Sequence, residues 1–116
     1  MQLPEQATLL RLFVGERDRH GHKPLYEAII LKAREHGLAG ATVLRGLVGY
    51  GASSVLHTAK LVELSDDLPM VVEIVDTEER IQSFLPVLDG MLSSGLVTLE
   101  KVRVLQYGLP KKTPPR

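Results

Sequence analysis

The chain contains no cysteine and no asparagine, and its charged side chains cancel. Without cysteine there is no disulfide scaffold and no thiol chemistry, a composition that suits a reducing compartment. Fourteen basic and fourteen acidic side chains give a formal net charge of zero, which excludes a global field that would attract nucleic acid or an anionic membrane. We therefore expect no nucleic-acid partner, and we expect local groups to bind any charged ligand.

Long apolar runs are also missing. The longest apolar stretch near the N-terminus, Leu9 to Val14, is interrupted by Arg11. It falls far short of the roughly 20 residues that span a bilayer, and it does not have the pattern of a signal peptide. The sequence therefore predicts a cytoplasmic protein that is not embedded in a membrane.

The length of 116 residues suits a single domain, because domains usually hold roughly 100 to 200 residues. Residues 1–7 lack periodicity, and residues 109–116 (LPKKTPPR) are basic and rich in proline. Both ends are therefore predicted to be flexible or weakly docked. The folded unit is expected over residues 8–108.

The first half of the chain predicts a strand, a helix and a second strand. Thr8 to Val14 has the two-residue alternation of a strand. Pro24 is placed to begin a helix, and Gly37 to provide its left-handed C-terminal cap. The apolar, β-branched run Ala41 to Val48 follows, and Gly46 within it predicts a bulge or a close contact near the end of the strand.

The second half repeats this order. Pro69 to Val75 is an apolar strand with a single polar residue. Asp76 and the threonine after it supply N-cap chemistry, and Glu79 completes a capping-box pattern. The helix that follows contains Pro86, where we expect a kink. Thr98 to Tyr107 is predicted to form the last strand.

The order β-α-β-β-α-β predicts an α+β, ferredoxin-like fold, in which a four-stranded antiparallel sheet carries both helices on one face. Strand one should lie beside strand three, and the other face is left bare. Strand parity places six side chains on that face: Leu9, Arg11, Phe13, Val71, Glu73 and Val75. Such a face is either solvated, with one cross-strand Arg11–Glu73 pair, or closed by assembly. Its mixture of large apolar and oppositely charged groups favours a homotrimer in which three bare faces meet.

The segment Gly40 to Gly51 (GATVLRGLVGYG) resembles the second-strand region of PII signalling proteins, where G-x-T-V leads to a G-F-G element and a long mobile loop. Here Gly40, Thr42 and Val43 match the first part, and Gly49-Tyr50-Gly51 matches the second, with one extra residue between them. The likeness is closer to an uncharacterised PII-like family known as domain of unknown function 190. Features of that family are echoed at Gly15 to Asp18, Lys23 to Leu25, Arg45-Gly46, Leu68-Pro69 and Glu73 to Asp76.

The resemblance implies a trimeric regulatory protein without enzyme activity. Its lateral clefts would bind a small anion or a nucleotide, such as an adenine nucleotide, and its loop at about residues 50–68 would regulate a partner protein. The candidate ligand-binding residues are Arg45, Gly49, Tyr50, Gly51, His57 and Lys60. The glycines let backbone amides approach a ligand, and the two cations would pair with an anion. An arginine on this strand can instead form a structural pair with a helix carboxylate.

One stretch departs from the PII pattern. PII proteins carry a T-G-x-x-G-D-G-K phosphate loop after their second helix, whereas this chain has Met91 to Thr98 (MLSSGLVT). The resemblance therefore does not extend to the way in which PII proteins hold ATP.

Two other functions remain open. Trimeric copper-tolerance proteins share the PII architecture, and a metal site of that kind would require His20, His22 and His57 to converge. Acylphosphatases share the topology, but their phosphate-binding loop needs a positioned asparagine, which this chain lacks. Ser53 and Ser54 have no G-x-S-x-G turn around them. We therefore expect neither catalytic residues nor a metal ligand set.

Overall fold

A computed structural model describes residues 5–46 and 68–108. The elements, in chain order, are β1 (Gln6–Gly15), β2 (Arg19–His20), β3 (Lys23–Pro24), α1 (Leu25–Glu35), β4 (Ala41–Arg45), β5 (Pro69–Asp76), α2 (Glu78–Asp89) and β6 (Leu96–Arg103). The predicted α+β order is confirmed. The strands β2 and β3 are an addition to it, because they form a small hairpin between the first predicted strand and the first predicted helix.

The four long strands form one antiparallel sheet in the order β4-β5-β1-β6. The first long strand therefore lies beside the third, as the ferredoxin-like pattern predicts. Strand β1 is central and pairs along most of its length with both β5 and β6. This position follows from its sequence, because an apolar strand with few polar residues is stable only when both of its edges and its core face are covered.

The core lies between the sheet and the two helices. Alternate residues of the two central strands point into it, and the apolar stripes of α1 and α2 pack against them. Eight apolar side chains are almost completely buried: Leu10, Leu12, Ile29, Val72, Ile74, Ile81, Phe84 and Leu88. The core is therefore built by the two periodicities that the sequence displays, two residues in the strands and about 3.6 in the helices.

The ends of the helices agree in part with the sequence. Gly37 has φ of 71°, and the Leu38 amide donates to the Ala33 carbonyl, which is the predicted left-handed end of α1. Helix α2 runs through Pro86 as one element, and the kink there stays a prediction. Neither helix is long and apolar enough to cross a membrane, and residues 5–46 and 68–108 contain no other helix.

The last strand was predicted too far along the chain. It begins at Leu96 and ends at Arg103, whereas the alternation had suggested Thr98 to Tyr107. Beyond the strand, the Tyr107 hydroxyl donates to the Ala39 carbonyl at 2.6 Å. Because Ala39 precedes β4, at the opposite side of the sheet from β6, the segment after β6 crosses the end of the sheet. Alternating apolar residues in that segment therefore mark a strap and not a strand.

Of the two residues predicted to supply N-cap chemistry for α2, Thr77 is confirmed, whereas the capping box between Asp76 and Glu79 is wrong. Thr77 is the N-cap of α2, and its hydroxyl accepts the Arg80 amide at 3.2 Å. Asp76 is fully buried as the last residue of β5, and its carboxylate accepts the Thr77 amide at 2.6 Å and the Ala39 amide at 2.8 Å. Strand alternation turns this carboxylate toward the core. It therefore accepts an amide from the connection between α1 and β4, and it does not form the hydrogen bonds of a capping box with Glu79.

Replacement of Asp76 by alanine is expected to lower the free energy of unfolding by roughly 2–4 kcal/mol, because two amides lose a charged acceptor. Urea denaturation at a fixed protein concentration measures the change. The control is Asp89→Ala, which removes an exposed carboxylate at the end of α2 and should change stability by less than about 0.5 kcal/mol. Equal effects of the two substitutions would contradict this role for Asp76.

Candidate functional site

The base of the connection between β4 and β5 is held by backbone hydrogen bonds. The Gly46 amide donates to the Pro69 carbonyl at 2.7 Å, and the Glu16 amide donates to the Leu68 carbonyl at 2.9 Å. The end of β4 and the start of β5 therefore lie side by side, next to the turn that follows β1. We call these four residues, Glu16, Gly46, Leu68 and Pro69, the loop base.

Gly46 makes the close contact that the sequence predicted near the end of β4. A Cβ atom placed on it would lie 2.7 Å from Pro69 Cγ and 3.2 Å from the Pro69 carbonyl oxygen. Atoms this close cannot be accommodated without a shift, and the proline ring is rigid. The loop base therefore requires glycine at this position.

Arg45, the last residue of β4, forms a bidentate ion pair with the loop base. Its Nε lies 3.0 Å from Glu16 Oε2, and its second guanidinium nitrogen donates to Oε1 at 3.1 Å. The expected structural partner was a helix carboxylate, whereas the carboxylate found lies in the turn after β1. The Arg45 side chain is 55% exposed, so the pair orients a guanidinium at the surface, where such pairs contribute only about 0–1 kcal/mol to stability.

The turn after β1 is fixed by Asp18. Its carboxylate accepts the Gly15 amide at 2.8 Å, and its own amide donates to the Gly15 carbonyl at 3.1 Å. Its carbonyl accepts the Leu25 amide at 2.7 Å, at the first residue of α1. Asp18 therefore fixes both the turn that carries Glu16 and the hairpin that follows. The sequence had marked Asp18 only as part of a stretch that echoes the family, without assigning it this role.

Of the six predicted ligand-binding residues, only Arg45 belongs to the part of the chain that the structure describes. Gly49, Tyr50, Gly51, His57 and Lys60 lie outside the described residues. The structure adds Glu16 and Gly46 beside Arg45. Glu16 could not have been assigned from the sequence, because nothing in its local pattern shows which of several acidic residues reaches the end of β4.

The metal hypothesis required His20, His22 and His57 to converge. His20 and His22 both line a cavity beside α1, and His57 lies outside the described residues. Over residues 5–46 and 68–108, no group of three or more histidine, aspartate or glutamate side chains is arranged to hold a metal ion.

The stretch that replaces the PII phosphate loop turns directly into β6. Gly95 has φ of 120°, and a Cβ atom on it would lie 2.8 Å from the Phe13 carbonyl oxygen. Strand β6 begins at the next residue. The glycine in this stretch is therefore required by contact with β1, and its presence does not indicate a phosphate loop.

The face of the sheet opposite the helices has the composition that parity predicted. Arg11 lies opposite Glu73 in the β1–β5 register, and its terminal nitrogen is 2.8 Å from Glu73 Oε2, with both side chains about one-third exposed. Phe13 lies opposite Val71 in the same register. The strap after β6 borders an open cavity of about 850 Å³ at one end of this face, where Leu9 is buried and the face is not bare.

Comparison with known proteins identifies the family of this chain. The sequence pattern of DUF190, described as "Uncharacterized ACR", matches residues 7–104. The chain belongs to the DUF190 family. A UPF0166 protein of Aquifex aeolicus is 44% identical over 100 residues, covering 86% of this chain and 94% of the relative. A UPF0166 protein of Methanocaldococcus jannaschii is 32% identical over 100 residues, covering 85% of this chain and 92% of the relative.

Two solved structures of one PII-like protein share the fold of this DUF190 member. CPII, a nitrogen regulatory PII-like protein from Thiomonas intermedia K12 bound to ADP, AMP and bicarbonate, superposes with a TM-score of 0.54 at 19% identity. The match covers 87% of this chain and 90% of that one. CPII bound to ADP and bicarbonate gives a TM-score of 0.53 with the same identity and coverage. The PII-like architecture implied by GATVLRGLVGYG is thereby confirmed.

Gly46→Ala is expected to lower the free energy of unfolding by roughly 1–3 kcal/mol, because the added methyl group overpacks against Pro69. Differential scanning calorimetry or urea denaturation measures the loss. Gly40→Ala is the matched control, since a Cβ atom there meets nothing within 4 Å and the substitution should change stability by less than about 1 kcal/mol. If both variants unfold like the wild type, the close contact between Gly46 and Pro69 does not affect the stability of the fold.

Proposed function

We propose that this DUF190 member is a small-molecule sensor of PII type, that it binds an adenine nucleotide beside the loop base, and that it is not an enzyme. The observation that supports the proposal most strongly is the loop base itself. An exposed, pre-oriented guanidinium stands where a connection of more than twenty residues leaves and re-enters the sheet. A ligand bound there would contact the scaffold and the connection together.

The choice of ligand is supported by fold and by charge. CPII shares the architecture and is bound to ADP, AMP and bicarbonate, all of which carry anionic oxygens. Arginine suits such groups because its planar guanidinium forms paired, charge-assisted hydrogen bonds. In this proposal Arg45 exchanges its Glu16 partner for a phosphate or bicarbonate oxygen, and Gly46 lets the backbone pass close to the ligand.

The position of the proposed site at the loop base suggests how a ligand would regulate a partner protein. A ligand changes a conformational equilibrium only when it binds the two states with different affinity. A phosphate that draws Arg45 away from Glu16 would loosen one of the contacts between the turn after β1 and the end of β4. The connection between β4 and β5 would then present a different surface to a partner protein. This coupling is reciprocal, so the partner would also change the affinity for the nucleotide.

Titration calorimetry with ADP, AMP, ATP and sodium bicarbonate tests the proposal. ADP is expected to bind, and Arg45→Ala should weaken it about tenfold to a hundredfold, since a hydrogen bond to a charged group contributes about 1.5–3 kcal/mol and each 1.4 kcal/mol is a factor of ten. Glu16→Gln should leave binding unchanged or tighten it, because it removes the negative charge that competes with the ligand for the guanidinium. Arg34→Ala, which removes an exposed arginine of α1, is the control for net charge.

Two results would contradict the proposal. Absence of heat and of any thermal shift with all four compounds would remove the nucleotide and bicarbonate ligands. Equal loss of binding in Arg45→Ala and Glu16→Gln would show that the ion pair acts only as a structural brace.

The proposed assembly is a homotrimer closed through the bare sheet face. Support comes from the cross-strand pairs on that face, in which apolar Phe13–Val71 lies beside the charged Arg11–Glu73 pair. Contact with other copies would remove the apolar part of this face from water, which is the favourable contribution, while each Arg11–Glu73 pair keeps its two charges mutually compensated. Closed cyclic symmetry satisfies all copies of such a face at once.

Size-exclusion chromatography with light scattering should give a mass of about 38 kDa, three times the 12.8 kDa of one chain. Val71→Asp is expected to reduce the mass toward that of a monomer, because it places an unpaired charge in the buried interface. Leu31→Asp introduces the same charge at a 39% exposed position on α1 and should leave the mass unchanged. A monomeric wild-type protein, or a trimer that survives Val71→Asp, would exclude this assembly.

A further inference from the structure

Another cavity lies on the helical side of the molecule, between the β2–β3 hairpin, α1 and Met91, which follows α2. Its volume is about 310 Å³, at the lower end of the roughly 300–1,000 Å³ typical of small-molecule pockets. None of its lining residues belongs to the loop base or to the bare sheet face. The family likeness and the proposed sensor function therefore leave it without a role.

The hairpin places basic groups on one side of this cavity. His20 and Lys23 are directly paired across β2 and β3, so their side chains project from the same face of the hairpin. Gly21 occupies the first central position of the turn with φ of 63°, the geometry of a tight II′ hairpin turn. His22, the second central residue, also lines the cavity. Three side chains that can donate hydrogen bonds thus reach one small space.

Charge on the opposite wall is already balanced. Lys32 and Glu35 of α1 both line the cavity, and they form an ion pair of 3.3 Å with each other. Lys23 has no such partner among residues 5–46 and 68–108. The sole carboxylate of the lining is therefore occupied, and Lys23 supplies an excess positive charge.

The floor of the cavity is apolar. Leu31 of α1 is 39% exposed although it is a large aliphatic residue, and it lines the cavity together with buried Ala28 and with Met91, from the segment after α2. A thioether and a leucine in one lining suit a flat ring or a branched alkyl group, because sulfur contacts aromatic rings favourably and methionine adapts its shape.

The hairpin is held in this position by the same residue that fixes the turn after β1. The Asp18 carbonyl accepts the Leu25 amide at 2.7 Å, which joins the start of the hairpin to the start of α1. The basic rim and the apolar floor are therefore parts of one connected scaffold. Such preorganisation lowers the entropy lost on binding.

We propose that this cavity binds a small organic anion with a ring-sized apolar body. The anionic group faces Lys23 and the two histidines, and the body lies on Leu31 and Met91. Both the basic rim and the apolar floor are needed for binding. Lys23 and the histidines alone are solvated at the surface, and the apolar floor alone is small. The site is separate from the nucleotide site, because it uses neither Arg45 nor the loop base.

Two-dimensional ¹H–¹⁵N NMR on the full chain tests the proposal with three probes: phenyl phosphate, inorganic phosphate, which lacks the body, and phenol, which lacks the charge. Phenyl phosphate is expected to shift the amides of Met91 and of residues 20–23 and to bind at least fivefold more tightly than either fragment. Lys23→Ala and Leu31→Ser should each weaken it at least threefold. Lys23→Arg should retain binding, and Arg34→Ala, on the exposed part of the same helix, should match the wild type.

Three outcomes would overturn the inference. If inorganic phosphate or phenol binds as tightly as phenyl phosphate, one half of the site has no function. If the shifts map to Gly46 and Leu68, the anion occupies the loop base. Unchanged affinity in both Lys23→Ala and Leu31→Ser would remove the cavity as the binding place.

Discussion

The fold depends on one buried carboxylate. Asp76 is fully enclosed and accepts amides from Thr77 and Ala39, which joins the end of β5, the start of α2 and the connection into β4. Arg80 adds a second link from the same helix turn to the Gly37 carbonyl. The Ala39 carbonyl, in turn, accepts the hydroxyl of the strap. A buried carboxylate is tolerated only when it is hydrogen-bonded, and Asp76 meets this requirement with two backbone amides.

The other end of the sheet is built differently. Strand β5 runs from Pro69 at the loop base to Asp76, so the two ends are separated by the length of the strand. At the loop base the contacts are backbone hydrogen bonds and a surface ion pair, each of modest strength. The proposed function requires this difference, because a ligand can rearrange the loop base at low cost only if its contacts are individually weak.

Much of the fold could be predicted from the sequence, because strand alternation and helical periodicity report directly on burial. The pairing of Arg11 with Glu73, and the placement of Phe13 and Val71 on the same face of the sheet, followed from parity and topology alone. The errors arose where local patterns have more than one physical meaning. Asp76 is a residue type that favours the N-cap position, but its side chain points into the core. The alternating apolar residues after Arg103 belong to the strap and not to a strand. The partner of Arg45 depends on which turn approaches β4, and this tertiary contact has no local signal.

The central claim is that a nucleotide acts at the loop base and leaves the Asp76 end unchanged. Hydrogen–deuterium exchange of the full chain, measured with and without saturating ADP, tests it most directly. The account predicts altered exchange at the amides of Glu16 and Gly46 and unchanged exchange at those of Ala39 and Thr77. A response confined to the Ala39 and Thr77 amides, or no response anywhere in the chain, would contradict it.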